Sequence, residues 1–155
     1  MKNLIVIFTT ILIISCNKPQ SNAEYNSEQA IEAVEAVVQQ VFDSVWSHKK
    51  VDAIKKYQTN DFILLEHGEL WTNDTIANWC KRASKRDQGI TRINKFDRIK
   101  AHQEGNRVYL AYWNHGTFVK DTLEFKRTWL ESVVAVKSDS VWKLELMHST
   151  RLPRE

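Results

Sequence analysis

The sequence predicts an α+β domain in which three helices and one early strand precede an antiparallel meander of four long strands. Two patterns carry this prediction. Residues 28–86 place apolar side chains at three- and four-residue intervals, interrupted by one short alternating run. Residues 91–150 instead alternate with period two between turn signals. Helices segregated from a run of antiparallel strands define the α+β class.

Residues 1–15 precede the domain and read as a lipoprotein signal peptide. Lys2 supplies a positive start, and Leu4–Ile14 is apolar apart from Thr9 and Thr10. That run is shorter than the about 20 residues a spanning helix needs, but it suits a signal. It closes in Ile13-Ile14-Ser15-Cys16, which resembles the bacterial lipobox: an aliphatic residue, a small residue directly before the cut, and the cysteine after it. The resemblance implies palmitate and diacylglycerol on Cys16, stable anchoring to a bacterial membrane, and a place in the cell envelope facing periplasm or exterior. Asn17 follows the cysteine, so the inner-membrane aspartate signal is absent and either membrane stays open.

Residues 16–27 are polar, contain Pro19 and lack an apolar period, as a flexible tether would. The domain is expected over residues 28–152. Ser27 can cap a first helix whose apolar stripe (Ile31, Val34, Val38, Val41, Phe42, Val45, Trp46) runs to about His48. A short second helix fits Val51–Tyr57. Asp61–Glu66 reads as a strand closed by Gly68, and Asn73 or Asp74 can cap a third helix through Arg86, with Ile76, Trp79, Cys80 and Ala83 inward. Strands follow over Thr91–His102, Arg107–Phe118, Thr122–Lys137 and Val141–Thr150.

Composition excludes several classes. A formal net charge of +3 leaves no broad footprint for nucleic acid. With Cys16 lipidated, Cys80 has no partner and reads as a small buried hydrophobe. The five histidines lack ligand spacing, so no metal is expected, and no cofactor motif or phosphate loop occurs among only four glycines. The basic run Lys81–Arg86 reads as a solvated helix face.

The order of elements and several motifs resemble the SnoaL-like branch of the nuclear transport factor 2-like superfamily over residues 28–150. The matching features are the link Ser47-His48-Lys49-Lys50-Val51-Asp52, then Asn60-Asp61-Phe62, then the hairpin Val134–Leu144 with its charged turn and Trp142, closing in Met147-His148-Ser149-Thr150. Ser140 stands where glycine is usual. The resemblance implies a curved sheet wrapped by helices into a cone with an apolar pocket in its mouth. Isomerases, dehydratases and noncatalytic association domains share that fold, so fold alone assigns no function.

Candidate site residues follow from register. If Asp139 and Ser140 are the central residues of a two-residue turn, Leu144 faces Ala135, His148 faces Glu131 and Thr150 faces Trp129. Glu131 and His148 would then pair at the pocket end of an apolar face, with Arg127 and Trp129 nearby. Such a pair suits acid–base work, because the carboxylate orients the ring, though mutual satisfaction is the plainer role. Glu66 shares a face with Phe62 and Leu64, and alignment with the ketosteroid-isomerase branch puts it at that branch's carboxylate base. The same alignment puts Phe42 at the oxyanion tyrosine, which removes a donor. Tyr112 and Asn114 share one face of their strand, Trp113 and His115 the other, and either pair can line the pocket.

These features predict a noncatalytic module for a small apolar ligand or a protein partner. The alternative is a lyase, isomerase or hydrolase using Glu66, or Glu131 with His148. A deep pocket lined by both carboxylates favours the enzyme; one plugged by Trp113, Trp129 or Trp142 favours interaction. Homodimers through the sheet, using Leu130, Val134 and Val136 on its outer face, accord with the resemblance.

Overall fold

The computed structural model describes residues 21–153; the signal peptide at 1–15 and Cys16 lie outside them. Helix α1 (Ser21–Val41) starts six residues before Ser27, so residues 21–27, expected as tether, are helical. Nothing after Pro19 breaks a helix there, since residues 21–26 contain neither proline nor glycine. The chain then widens into a π-helical turn, Phe42–Ser47, rather than continuing as α-helix. Phe42, Val45 and Trp46, at i, i+3 and i+4, are its buried residues.

Helix α2 (Asp52–Tyr57) and strand β1 (Gln58–Glu66) follow, and β1 turns through His67-Gly68 into a short strand, β2 (Glu69–Thr72), that the sequence pattern did not reveal. Helix α3 (Asn73–Arg86) is capped by Thr72, whose hydroxyl accepts from the Thr75 amide, and not by Asn73 or Asp74. Asn73 instead donates its side-chain amide to Thr59 O, tying the helix start to β1. The meander is β3 (Thr91–Glu104), β4 (Arg107–Lys120), β5 (Leu123–Ser138) and β6 (Val141–Arg151).

The sheet order is β2-β1-β6-β5-β4-β3, with β1 running parallel to β6 and the meander antiparallel. The sheet is curved and unclosed. Bulges at Ile99 on β3 and Glu145 on β6 bend their strands. Into the hollow α1 lays Ile31, Val34, Val38 and Val41, against Val108, Leu110, Val133 and Leu144. Arg98 on β3 clamps α1 from outside, donating to Glu35 at 2.6 Å and Glu28 at 2.7 Å. That pairing is exposed and contributes at most about 1 kcal/mol. Lys81, Arg82, Lys85 and Arg86 are exposed on α3, as expected. Among the described residues no helix is long and apolar enough to cross a membrane.

The last hairpin decides the site. Asp139 and Ser140 both have positive φ, 49° and 66°, and form the expected two-residue turn, with Ser138 opposite Val141 and Ala135 opposite Leu144. Glu145 then bulges out, and the pairing beyond it shifts by one: Val134 opposes Leu146, and Glu131 opposes Ser149. His148 therefore does not face Glu131; it pairs with Ser132 and points outward, exposed. Met147 takes the inward position at 2% exposure.

This register makes a test. Met147→Ala should cost about 2–5 kcal/mol in urea unfolding, while His148→Ala should stay within about 0.5 kcal/mol. The reverse ranking would restore the unshifted hairpin.

Candidate functional site

Alternation on four strands brings a row of polar side chains onto the inner face. In register, Glu66 on β1 opposes Ser149 on β6, which opposes Glu131 on β5, which opposes Tyr112 on β4. This row lies at the floor of a cavity of about 360 Å³ between the sheet, the π-helical turn and α3. Phe42 and Trp46 enter it from the turn, Trp79 from α3, Trp71 from β2, Trp129 from β5 and Met147 from β6. Trp46 packs edge-on against Trp79, with ring centroids 5.1 Å apart. Gly116 lets Trp129 lie close over β4, because a Cβ there would meet its ring at 2.9 Å.

A hydrogen-bonded chain crosses the floor. Arg92 Nε donates to Asn94 Oδ1 at 2.9 Å, and Asn94 Nδ2 to Asn114 Oδ1 at 2.6 Å. Asn114 Nδ2 donates in turn to Glu131 Oε2 at 3.0 Å, while Ser149 Oγ donates to Glu131 Oε1 at 2.9 Å. Both Glu131 oxygens thus have donors, as a buried carboxylate requires. Burial nonetheless pushes its pKa up to about 7, against the downward pull of Ser149, Asn114 and the Arg92 charge. Burial also raises Glu66, opposed first by His67. His67 sits beyond the strand end at a φ of 50°, which swings its Nε2 to 2.9 Å from Glu66 Oε1. On a regular strand adjacent residues would point apart. Arg92 is lowered by burial to about 10 and keeps its charge at neutral pH. The Tyr112 hydroxyl is buried beside Glu131 and raised well above its ordinary range, without completing a hydrogen bond of good geometry among the described residues. The Trp46 indole N–H is likewise buried with no partner there.

The structure thus gathers Glu66, Glu131 and Trp129 in one cavity, with Tyr112 beneath it. It leaves out His148 for the reason given, and Thr150, which pairs with Leu130 and is exposed. Trp113 is on the outer face, because Tyr112 and Asn114 take the inner one. Arg127 on β5 opposes Gly116 on β4 and lies over Phe125, 5.0 Å from the ring centroid, and does not line the cavity. Trp142 is buried in the core and does not plug the opening. Sequence reasoning missed Arg92, Asn94, Ser149 and the cavity role of Trp46. The available signal was the alternation Arg92-Asn94-Phe96, where the aromatic marks the inner face, but a turn register was needed to use it. No cluster of histidine, cysteine and carboxylate groups suited to a metal occurs among the described residues.

Chemically, the floor offers two carboxylates with raised pKa, a guanidinium and a hydroxyl, under aromatic walls. The electrostatic signature is testable. The folded state holds the Glu131 proton more tightly than an ordinary carboxyl at 4.5, so the group costs nothing below pH 4.5. The cost grows as pH rises and is complete above about 7. The stability of Glu131→Gln relative to wild type should therefore improve by about 3 kcal/mol from pH 4 to pH 8. Urea unfolding at both pH values checks this, and a pH-independent difference would mean an ordinary carboxylate.

No family model and no curated protein matches the chain in sequence. Solved structures do match. A Caulobacter vibrioides protein with a cystatin-like fold is 16% identical, with TM-score 0.61, over 81% of this chain and 91% of its own. A ketosteroid isomerase-like protein from Erwinia carotovora atroseptica is 12% identical, with TM-score 0.62, over 81% and 98%. A nuclear transport factor 2-like protein of unknown function from Silicibacter pomeroyi is 12% identical, with TM-score 0.58, over 81% and 98%. At these identities the likeness concerns the fold: a cone of helices on a curved sheet, of the cystatin-like, nuclear transport factor 2-like type.

Proposed function

We propose that this cone-shaped domain binds a small, largely apolar molecule while tethered by lipid on Cys16 to a bacterial envelope membrane. The observation that carries the binding reading is the cavity of about 360 Å³ walled by Trp46, Trp71, Trp79 and Trp129 over a fixed polar floor. Small-molecule sites are of this kind, apolar and aromatic walls around a few placed polar groups, at about 300–1,000 Å³. The tether reading rests on the apolar run and Ile13-Ile14-Ser15-Cys16. Homodimerisation through the outer face of the sheet belongs to the same proposal; Leu130, 41% exposed, and the half-buried Val134 and Val136 lie there.

A second reading, acid–base catalysis, is favoured by one observation: Glu66 and Glu131 line the same cavity and both have raised pKa. A carboxyl near pH 7 is matched to giving and taking protons at neutral pH. In that reading Glu131 moves the proton and Ser149 and Asn114 orient it; Glu66 with His67 is the second group. His148 has no part.

Native mass spectrometry of protein purified gently from its own host is expected to show a co-purified small molecule, retained by His148→Ala. An empty spectrum from folded protein would overturn the binding reading. If the site is catalytic, incubation in D₂O exchanges deuterium into that molecule, and Glu131→Gln stops the exchange without releasing it. The lipid anchor predicts that labelled palmitate enters the wild-type protein and not Cys16→Ser; equal labelling would exclude it.

A further inference from the structure

Arg92 lines the tryptophan-walled cavity and also a second one, of about 330 Å³, bounded by Lys49, Ser84, Asp87 and Phe118. Three rings hold its guanidinium from different sides. Its central carbon lies 5.4 Å from the Phe42 centroid and 5.2 Å from those of Phe118 and Trp129. Such aromatic contacts fix the plane of the group and partly offset its desolvation.

The polar side is far less complete. Nε is used on Asn94, but the two Nη atoms make no hydrogen bond, and no carboxylate lies within ion-pair distance, among the described residues. Arg98, six residues on, uses all three of its nitrogens on Glu28 and Glu35. The difference matters because Arg98 stands in solvent, where pairing contributes little, whereas Arg92 is half-buried between three aromatic rings, where an ion-pair partner would contribute more. Glu131 and Glu66 attract Arg92 from a distance. Neither is within ion-pair distance of it: Ser149 and Asn114 donate to the two oxygens of Glu131, and His67 pairs with Oε1 of Glu66. What remains is a forked donor, immobilised by aromatic rings and facing the cavity.

We infer that Arg92 is the recognition point for a carboxylate on the bound molecule, so that the cavity takes amphipathic monoanions, aryl or alkyl carboxylic acids. This rests on the cavity being a ligand site. The planar fork matches a carboxylate in two parallel hydrogen bonds. The tryptophan walls take the apolar body. Glu66 and Glu131 beside the fork repel a dianion, which disfavours phosphates, and a cation would meet Arg92 as a like charge.

The test is calorimetric, on full-length protein in lipid nanodiscs with empty nanodiscs subtracted, using two pairs of probes that differ only in the head group. These are 2-naphthoate against 2-naphthamide, and octanoate against octanamide. In the wild type at least one acid should bind about tenfold or more tightly than its amide. Arg92→Gln should abolish that preference, bringing the acid-to-amide ratio to within about twofold of one, and Arg92→Lys, which keeps the charge and loses the fork, should retain part of it. Circular dichroism confirms folding, and should Arg92→Gln not fold, the wild-type ratio and Arg92→Lys decide. Equal binding of acid and amide, or a preference that survives loss of the guanidinium, overturns the carboxylate inference and leaves the cavity as a ligand site. Absence of binding by all four probes to the wild type overturns both.

Discussion

One extra residue in β6 decides which of that strand's side chains complete the polar floor. Glu145 bulges from β6, and because side chains alternate with period two, the pairing beyond it moves every side chain to the opposite face. Met147 and Ser149 turn inward; His148 and Thr150 turn out. The consequence is a hydroxyl, and not an imidazole, between the carboxylates of Glu66 and Glu131. A serine there can donate to Glu131 without bringing a charge that would neutralise it, which leaves burial as the dominant influence and a carboxyl poised near pH 7.

The polar groups at the cavity floor form a connected chain, and its connectivity explains why Asn94, Asn114, Glu131 and Ser149 are tolerated at such low exposure. Arg92, Asn94, Asn114, Glu131 and Ser149 are each joined to the next by a hydrogen bond across β3 to β6. Along its interior such a chain is rigid, because each member holds its neighbour's polar atoms in a low-dielectric setting. Its two ends behave differently. At Glu131 both acceptors are used, whereas at Arg92 only the ε nitrogen is. Paired internally at one end and open at the other, the chain presents its free donors to the cavity.

The aromatic walls give this floor its surroundings. The π-helical turn brings Phe42 and Trp46 over the sheet, α3 brings Trp79, and the short β2 hairpin brings Trp71. None of these elements belongs to the long meander, so the sheet supplies the polar chemistry and the helical side supplies most of the apolar enclosure.

Helices, strands and turns were legible in the sequence because their causes are local. The apolar period of α1, the alternation of the meander and the turn at Asp139-Ser140 all depend on side chains within a few residues of one another, and the inward face of Phe62, Leu64 and Glu66 followed from alternation alone. The π-helical turn, the β2 strand and the Thr72 cap were not legible; the last two are local, a hairpin with β1 and a bond to the Thr75 amide, but four residues of β2 are too few to show an alternation, and Asn73 and Asp74 offered rival caps. Tertiary structure alone decided which polar residues meet. The bulge at Glu145 leaves no mark in the alternation until the partner strand is in place, and the choice of Tyr112 and Asn114 over Trp113 and His115 awaited the helix that covers them. A pattern of period two specifies that two faces exist; only packing against α1 specifies which one is inside.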